Sequence, residues 1–543
     1  MTVGVRSSLT HPSSVTDTMH DHALPYPSPF HAFAAIVARQ PQSTAIRERD
    51  RSIRYDELMA AGRQAGRALI AAGVGAGERI AIWAVNHSDW VIAALGIQAA
   101  GGTLIPASTR LKAREVAMSL RRARTTTLFC DPGFGSEDFV AGILAQDLPD
   151  LRRIVVFGDI SDSERVTSWA TFLSTGTDSL ETALDARIAA LEPEGLADII
   201  FTSGTTGLPK GVPMTNGQSL IACEQQQRCV ARFAAGDIFA ITYPFAHNAG
   251  YRAGWQAAIV FGVTIVILHT LEAQSVLEAI ARERVTVLPA VPTVYQAMLD
   301  HPDFARFDTS SIRFASTGAT TIPVPLIEAM QDAFGLSAVV AGYGLTEAAG
   351  SVSSTQPGDS ALVIATTTGQ PLDNLEVKLI DSEGLVVPTG TPGEIVVRGP
   401  QVMRGYFEDE AATAAAFTAD GFLRTGDVGV FDAAGNLAIT DRLKDMYIVG
   451  GFNTYPAEIE QQLCRIEGVI EAAVIGIDDP RLGQVGRAFV VIRAGAPIDE
   501  AGIVAWCRAE MANYKVPRVV TFVETLPRNP TGKVSKVALR DMA

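Results

Sequence analysis

The chain has 543 residues, of which 47% are hydrophobic and 19% charged, and its formal net charge is −15. This length exceeds what a single compact core accommodates, so we expect two or more domains, and the composition is that of a soluble globular protein. The acidic balance argues against nucleic acid or an anionic membrane as a partner, because their phosphate groups would be repelled.

The first 27 residues are rich in Ser, Thr, His and Pro and lack the basic and apolar regions of a signal peptide, which predicts a disordered tail. The longest apolar stretch, residues 257–268, is too short to cross a bilayer. Five cysteines, an odd number without a C-x-x-C pair, predict reduced, buried thiols rather than disulfides or a zinc site. Together these features predict a cytoplasmic protein.

From residue 55 onward the chain alternates helical and strand-like segments, which predicts layered α/β subdomains. Helical spacing over 56–72 and 89–100 flanks a strand-like run at 79–85, and apolar runs recur as far as 312–315. Residues 377–440 then hold closely spaced strands, a β-rich subdomain, and a small α+β unit follows. We expect a tail at 1–27, a large N-terminal domain at 28–441, a boundary at 442–445 and a C-terminal domain at 446–543.

A strand-like apolar run, 197–201, ends in a segment made almost wholly of Gly, Ser, Thr, Pro and Lys. Glycines let backbone N–H groups approach an anion, hydroxyls donate to phosphate oxygens, and lysine adds positive charge. The segment therefore predicts a cradle for a nucleotide triphosphate, formed by Thr202, Ser203, Gly204, Thr205, Thr206, Gly207 and Lys210. Pro209 and Gly211 exclude the usual nucleotide-loop pattern. A flexible polar surface loop is the alternative interpretation.

Two further patterns suit nucleotide binding. The run 341–347, Ala-Gly-Tyr-Gly-Leu-Thr-Glu, places an aromatic ring between two glycines, which leaves a flat platform for a purine. Glu347 supplies a carboxylate of the type that holds Mg²⁺ beside phosphates. Asp427, in a Thr-Gly-Asp sequence, can accept hydrogen bonds from two ribose hydroxyls. Each pattern alone is also compatible with an ordinary turn.

The sequence T-S-G-T-T-G-x-P-K-G at 202–211 resembles the phosphate loop of the adenylate-forming superfamily, which contains acyl-CoA synthetases, luciferases and peptide-synthetase adenylation domains. The resemblance extends in order from about residue 30 to 540 and implies ATP, Mg²⁺ and CoA as cofactors. It places Tyr343 beside adenine, Thr346 on phosphate and Glu347 on the metal. The implied ATP site is completed by Gly318, Ala319, Gly342, Gly344, Asp427 and Arg442.

The same resemblance assigns roles in the C-terminal domain. Lys444 matches the hinge about which this small mobile domain rotates between two reactions. Lys533 matches a catalytic lysine, whose ammonium would offset the charge that develops when a carboxylate joins the α-phosphate of ATP. The loop expected to face the CoA channel is Gly450, Gly451 and Phe452. The implied reaction forms an acyl-AMP with release of pyrophosphate, and the CoA thiol then displaces AMP.

The segment 243–254 resembles the family's acyl-binding segment, in which His247 matches a histidine that gates or lines the acyl site. The residues expected around the acyl group are His247, Asn248, Gly250, Tyr251, Arg252, Gly254 and, from the opposite wall, Thr317. Small residues would leave space for the substrate. Arg252 is unusual for a fatty-acid tunnel, and it is expected either to be solvated or to address a carbonyl of a polar substrate.

The runs 247–254 and 439–453 resemble the branch of CoA ligases that act on the bicyclic propanoate left by steroid ring degradation. A medium-chain or aryl-alkanoic acid is the alternative substrate. Two other functions stay open: an adenylating enzyme that loads a carrier protein, and a non-catalytic nucleotide-sensing protein with this fold. The presence of Lys533, Glu347 and Asp427 argues against the last. A homodimer is compatible with the sequence.

Overall fold

The computed structural model describes residues 25–49, 51–202, 208–318, 322, 324–336, 338–442, 447–454, 456–493, 495–527, 534 and 536–543. These residues form two large sheets flanked by helices, a small antiparallel sheet, and a separate C-terminal sheet with its own helices. The predicted class, an α/β protein with a β-rich subdomain and a small α+β C-terminal unit, is confirmed.

The largest sheet consists mainly of parallel strands and has antiparallel strands at both edges. Its described strands lie in the spatial order Gln370–Pro371, Ser353–Ser354, Val339–Tyr343, Phe314–Gly318, Val287–Pro289, Ile238–Ile241, Thr264–Ile267, Thr44–Glu48 and Arg51–Arg54. The inner strands are apolar and mostly buried, as expected for parallel strands covered by helices. Their carboxyl ends share one edge, where open α/β sheets bind ligands.

The second large sheet combines parallel strands with one antiparallel edge strand. Its spatial order is Lys210–Thr215, Leu196–Thr202, Thr103–Pro106, Arg79–Trp83, Thr127–Cys130, Arg153–Val156 and Val166–Ser168, and a short hairpin pairs Gly133–Phe134 with Glu137–Asp138. The strand predicted at 197–201 thus exists as Leu196–Thr202, directly before the phosphate loop. The strand predicted at 79–85 ends earlier, at Trp83.

Two helices, Tyr55–Ala71 and Ser88–Ala99, pack into a core shared by both large sheets. The second helix is apolar on every face, and all its residues except Asp89 are buried. Gly96 allows the helices to approach closely, because a Cβ at this position would lie 2.6 Å from the Cβ of Ala65. This shared core fixes the two sheets, and hence the loops at their carboxyl ends, relative to each other.

The other described helices pack against the sheets, and some of them contribute to the same shared core. In the large domain they are Pro29–Arg39, Ala113–Ala123, Phe139–Leu144, Trp169–Ser174, Glu181–Ala189, Asn216–Gln225, Ala257–Val260, Ala273–Glu283, Pro292–Leu299, Val324–Phe334, Ala361–Thr366 and Glu410–Ala416. Two segments, Gln226–Ala231 and Tyr251–Gln256, are π-helical. Short 3₁₀ turns occur at Asp178–Leu180, Phe304–Arg306, Thr346–Ala348 and Asn513–Lys515.

The β-rich subdomain is an antiparallel sheet in the order Glu376–Ile380, Gly393–Arg398, Leu423–Phe431 and Leu437–Arg442. The C-terminal sheet follows, in the order Phe452–Thr454, Tyr447–Val449, Gly483–Ile492 and Val469–Asp479, with Val519–Phe522 parallel to Gly483–Ile492. Helices Pro456–Leu463, Glu500–Glu510 and Lys536–Asp541 accompany it. The boundary expected near residue 442 falls between these two sheets.

All five cysteines are free. Cys130, Cys223 and Cys507 are buried, and burial raises the pKa of the Cys223 and Cys507 thiols to about 12. Cys464 is exposed, so the prediction of uniformly buried thiols is wrong at this position. Among the helices in the described ranges, none combines the length and the apolar character needed to cross a membrane.

Candidate active site

A cavity of about 1040 Å³ lies at the carboxyl ends of the parallel strands, and motifs distant in the chain converge on it. The expected site residues that line it are Thr202, Lys210, His247, Thr317, Gly318, Gly342, Tyr343, Gly344, Thr346, Glu347, Asp427, Gly450, Gly451 and Phe452. Expected residues that lie outside the described ranges are Ser203, Gly204, Thr205, Thr206, Gly207, Ala319, Lys444 and Lys533.

Glycines at the ends of two neighbouring strands form a flat part of the cavity wall. Gly318 and Gly342 are direct partners in the parallel ladder, and a Cβ on Gly318 would stand 3.1 Å from the carbonyl oxygen of Gly342. Gly344 follows Tyr343, and a Cβ on Gly344 would overlap the carbonyl oxygen of Gly350 at 2.1 Å. Gly344 therefore lets the chain pack against Gly350, while the backbone of Gly318 and Gly342 lines the cavity beside Tyr343 and forms a flat surface suited to a purine.

Asp427 is held at the end of the Tyr343 side chain. The tyrosine hydroxyl donates a hydrogen bond to Oδ2 of Asp427 at 2.6 Å. Pairing of the strands Leu423–Phe431 and Leu437–Arg442 places the backbone of Arg442 directly opposite Asp427. A carboxylate fixed beside the purine platform can accept hydrogen bonds from ribose hydroxyls. This arrangement suits the nucleoside part of ATP.

Lys210, Tyr406 and Glu347 form a row on the phosphate side of the cavity. Lys210 pairs with Thr202 across the two antiparallel strands that flank the phosphate loop. The Nζ of Lys210 lies 4.9 Å from the centroid of the Tyr406 ring, and the Tyr406 hydroxyl donates to Oε1 of Glu347 at 2.9 Å. Thr346 precedes Glu347 in the same 3₁₀ turn. Hydroxyls and one cation on this side suit an anionic group.

Glu347 also fits the expected magnesium ion. Magnesium is commonly held by one or two carboxylates together with water and substrate phosphates, rather than by a cage of protein ligands. Within the part of the chain that the structure describes, no group of three or more His, Cys, Asp or Glu side chains is placed to hold a metal. The carboxylate of Glu347, which lines the same cavity as Thr346 and Lys210, is a donor of the kind that this ion accepts.

His247 lies on the cavity wall together with Tyr243, Pro244 and Ala253. Its side chain is exposed to the cavity, and the protein atoms around the cavity lower the pKa of the imidazole by desolvation, so that the ring is neutral near pH 7. Apolar side chains of the same cavity come from Val230, Phe239, Val291 and Val294. Part of the cavity is therefore suited to the apolar body of an acid.

Arg252 lies away from this wall. It is fully buried, forms an ion pair with the equally buried Asp198, and donates a hydrogen bond to Oδ1 of Asn248. The Ser219 hydroxyl donates to Oδ2 of Asp198 at 3.4 Å. Both expectations for Arg252, solvation or contact with a substrate carbonyl, are corrected by this placement. The ion pair instead connects the segment 243–254 to Asp198 in the strand Leu196–Thr202.

Four neighbouring residues of the acyl segment also face the protein. Asn248 and Tyr251 are buried and do not line the cavity. A Cβ on Gly250 would meet a backbone oxygen at 2.1 Å, and one on Gly254 at 2.8 Å. These glycines therefore let the segment fold back on itself, and the expectation that they leave space for an acyl group is corrected. Of the expected acyl contacts, His247 and Thr317 remain on the wall.

The loop Gly450-Gly451-Phe452 lies at the mouth of the cavity, against the large domain. Gly450 and Gly451 have φ values of +55° and +85°, which glycine adopts without strain. The turn brings the ring of Phe452 under Arg110, whose guanidinium carbon is 3.8 Å from the ring centroid. A Cβ on Gly451 would stand 3.5 Å from the Val291 side chain. The positive φ values, more than the space available, therefore favour glycine at these two positions.

A second cavity of about 170 Å³ continues from this point between the two domains. It shares Thr202, Pro244, His247 and Phe452 with the first cavity, and it extends to Lys515 in the small domain. A narrow path therefore joins the nucleotide and acyl region to the domain interface.

Four residues that line the cavity are not predicted by the sequence motifs: Arg110, Gln226, Tyr243 and Tyr406. Tyr243 begins the segment that resembles the acyl-binding segment, but that resemblance predicts His247, four positions later, as the residue that contacts the acyl group. The other three carry no local motif, because only the folded chain brings them to the cavity.

A model of the family described as AMP-binding enzyme matches residues 33–407, and a model described as AMP-binding enzyme C-terminal domain matches residues 458–533. The chain belongs to the AMP-binding enzymes. The resemblance to adenylate-forming enzymes, stated from the motifs, is thereby confirmed. Among solved structures, this AMP-binding enzyme is similar to the amide bond synthetase McbA from Marinactinospora thermotolerans, with a TM-score of 0.82 and 29% identity, over 94% of this chain and 99% of that chain.

Two curated relatives of this AMP-binding enzyme carry the same name, 3-[(3aS,4S,7aS)-7a-methyl-1,5-dioxo-octahydro-1H-inden-4-yl]propanoyl:CoA ligase. The protein from Mycobacterium tuberculosis is 46% identical over 511 residues, which cover 94% of this chain and 98% of that protein. The protein from Rhodococcus jostii is 41% identical over 502 residues, with 92% and 95% covered. The similarity thus includes both the large and the small domain.

Proposed function

We propose that this AMP-binding enzyme is an ATP-dependent acid–CoA ligase whose acid is a bicyclic propanoate with ring ketones. The observation that carries the proposal is the 46% identity to the M. tuberculosis ligase across 98% of its length. The predicted class, an AMP-forming acid–CoA ligase, is confirmed by relatives of that activity that match nearly end to end. We propose the cytoplasm as the compartment of the reaction, because both co-substrates, ATP and CoA, are available there.

In the first reaction a carboxylate oxygen of the acid attacks the α-phosphorus of ATP, and pyrophosphate leaves. Tyr343 and the adjoining glycines hold adenine, and Asp427 accepts hydrogen bonds from the ribose. Thr202 and Lys210 contact the phosphates, and Lys533 adds positive charge at the transferred phosphorus. The reaction is useful because a free carboxylate has no good leaving group, whereas the acyl-AMP can release AMP.

Glu347 holds Mg²⁺ in this proposal, with its carboxylate oriented by the Tyr406 hydroxyl. The bound ion would supply positive charge to the phosphates. Thr346 donates its hydroxyl to a phosphate oxygen from the same turn. Thr346 and Glu347 would in this way hold the triphosphate on the side of the cavity that Lys210 also lines.

In the second reaction the CoA thiol attacks the acyl carbonyl carbon, and AMP leaves with the bonding electron pair to give the thioester. The second cavity provides the path for the pantetheine arm, which would pass Phe452 and His247 to reach the acyl group. Gly450 and Gly451 keep that passage open because they have no side chains. In this proposal residues 442–445 are the hinge between the large domain, 28–441, and the small domain, 446–543.

The proposal is tested by incubating the full-length protein with Mg·ATP, CoA and a panel of free acids. The panel contains the bicyclic dioxo-indenyl propanoate, ferulate, 3-phenylpropanoate, octanoate and palmitate. Mass spectrometry measures AMP, acyl-AMP and acyl-CoA separately, so that both reactions are seen. The Lys533→Ala variant is the matched control, because it is expected to lose acyl-AMP formation while it still folds.

We expect acyl-CoA and AMP in equal amounts with the bicyclic acid, and a kcat/KM at least tenfold above that of the other acids. Preference for ferulate or octanoate would support the acid–CoA ligase activity but contradict the bicyclic propanoate as the substrate. Acyl-AMP without thioester, at saturating CoA, would overturn CoA as the acceptor and favour a carrier protein. No AMP with any acid would favour the non-catalytic alternative.

A further inference from the structure

Gln226 combines burial with an amide that is open to the main cavity. Its side chain lines the cavity and the residue is only 8% exposed. Over the described residues, the side-chain amide has no hydrogen-bond partner in the protein, yet its polar atoms are not sealed from the cavity. Gln226 also begins a π-helical segment, a backbone form that recurs at functional sites.

Two other polar side chains close to this position are already engaged. The hydroxyl of Thr242, which lines the same cavity, donates to the carbonyl oxygen of Pro289. The amide oxygen of Gln225, the preceding residue, accepts a hydrogen bond from the Cys229 thiol at 3.4 Å. Gln226 therefore differs from Thr242 and Gln225 in being available to a ligand. It also differs from Thr317 of the same cavity, whose hydroxyl has no partner in the described protein but is sealed from solvent.

The surroundings of Gln226 on the cavity side are largely apolar. The segment Gln226–Ala231 packs against the strand Phe314–Gly318, whose end carries Thr317 of the acyl wall. Val230 and Phe239 line the cavity as well. A buried amide without a partner is unfavourable, so this position suits a ligand that brings its own polar atom to an otherwise apolar wall.

We infer that Gln226 determines substrate specificity by donating its amide N–H to a ring carbonyl oxygen of the acid. The inference rests on the proposed function, because the named acid of the two relatives carries two ring ketones. A ketone oxygen only accepts hydrogen bonds, and a glutamine amide supplies the donor. A site with such a donor disfavours an acid that lacks the acceptor, since the donor would then be buried unpaired.

The test compares matched pairs of acids that differ only in their ring carbonyls. One pair is the bicyclic dioxo propanoate and its analogue with methylene groups in place of both carbonyls. The second pair is 3-(2-oxocyclohexyl)propanoate and 3-cyclohexylpropanoate. The kcat/KM of each acid is measured for the native protein, Gln226→Leu and Gln226→Glu. Gln225→Leu is the neighbouring control, and thermal unfolding checks that each variant folds.

For Gln226→Leu we expect kcat/KM to fall roughly tenfold for the keto acids and to change less than twofold for their methylene analogues. Gln226→Glu, which keeps the size but presents acceptor oxygens, should lose at least as much on the keto acids. Gln225→Leu should leave the keto-to-methylene ratio unchanged, even where its melting temperature falls.

An equal loss on both members of each pair, or no loss on either, would overturn the role of Gln226. Rejection of the bicyclic acid by the native protein would overturn the proposed substrate alone, because the cyclohexyl pair still reports the ratio. If the native protein turns over neither keto acid while it does turn over other acids, the inference falls together with the proposed substrate.

Discussion

Lys515 of the small domain places its ammonium 2.7 Å from Oε1 of Glu115 in the large domain. The same ammonium lies 2.6 Å from Oε1 of Glu458, within the small domain. Burial by itself would lower the pKa of Lys515, but interactions with Tyr514 and with the carboxylates of Glu115 and Glu458 outweigh it and raise the pKa well above the usual value. One buried cation thus joins two carboxylates, and only the contact with Glu115 crosses between the domains.

Replacing Glu115 by Gln should slow thioester formation about tenfold and leave acyl-AMP formation within twofold. The contact with Glu115 holds the small domain in the position where Gly450-Gly451-Phe452 meets the main cavity. In the Gln variant the negative charge is lost, and the amide NH2 group can face the Lys515 ammonium, so that two hydrogen-bond donors oppose each other. Rapid-quench measurement of acyl-AMP and acyl-CoA in one time course separates the two reactions.

The control for this prediction is Glu510→Gln. It neutralises Glu510, which forms another ion pair between the domains with Arg114 at 3.0 Å. The side chains of Glu510 and Arg114 are 33% and 43% exposed. Partly exposed pairs contribute little, so both reactions should stay within about twofold of the native rates. Equal slowing of both reactions by Glu115→Gln would contradict a role in placing the small domain.

The buried pair of Arg252 and Asp198 predicts a large loss of stability when one partner is removed. Arg252→Met leaves the carboxylate of Asp198 buried without its cation, which should lower the free energy of unfolding by about 3–5 kcal/mol. Arg404→Met is the matched control, because the side chains of Arg404 and Glu194 are 67% and 65% exposed. The control should cost less than about 1 kcal/mol. Urea denaturation of both variants measures the difference, and similar midpoints would refute the prediction.

The pair of Arg252 and Asp198 illustrates which features the sequence predicts and which it does not. The motifs of the nucleotide site could be recognised because each is local, and the structure brings Tyr343, Glu347 and Asp427 to one cavity. Arg252 was misplaced because its partner, Asp198, stands 54 positions earlier. A signal existed: Asp198 interrupts an apolar strand, and a charge inside a buried strand requires a partner. No such signal marked Gln226, whose availability depends on which neighbours are already bonded.

Contacts between the domains also could not be predicted from local sequence motifs. Glu115 and Lys515 are 400 positions apart, and neither stands in a motif used for the site. Strand and helix bounds, in contrast, followed the apolar periodicity to within a few residues, as in Tyr55–Ala71 for a helix expected at 56–72. Periodicity reports which face is buried, whereas pairing across the fold depends on topology that the pattern does not contain.

Asp427 should control affinity for ATP rather than for the acid. Asp427→Asn removes the negative charge that accepts hydrogen bonds from ribose, which should raise the KM for ATP roughly 10–100-fold. The KM for the acid should change less than threefold. Tyr343→Phe keeps the ring beside adenine and removes only the hydroxyl that contacts Asp427, so its KM for ATP should stay within about threefold. Steady-state kinetics with each substrate varied in turn would contradict this assignment if both KM values rose together.

His247 should make the protein less stable as the pH falls. Partial desolvation on the cavity wall lowers the pKa of His247 in the folded protein, although the side chain is exposed to the cavity, so the unfolded chain binds a proton somewhat more readily. Stability from this residue is complete above about pH 6.5, the ordinary histidine value, and is lost as the pH falls toward the lowered folded pKa. Melting temperatures at pH 7.5 and 5.5 should therefore differ less for His247→Gln than for the native protein. An equal difference in both proteins would mean that His247 is not desolvated on the cavity wall.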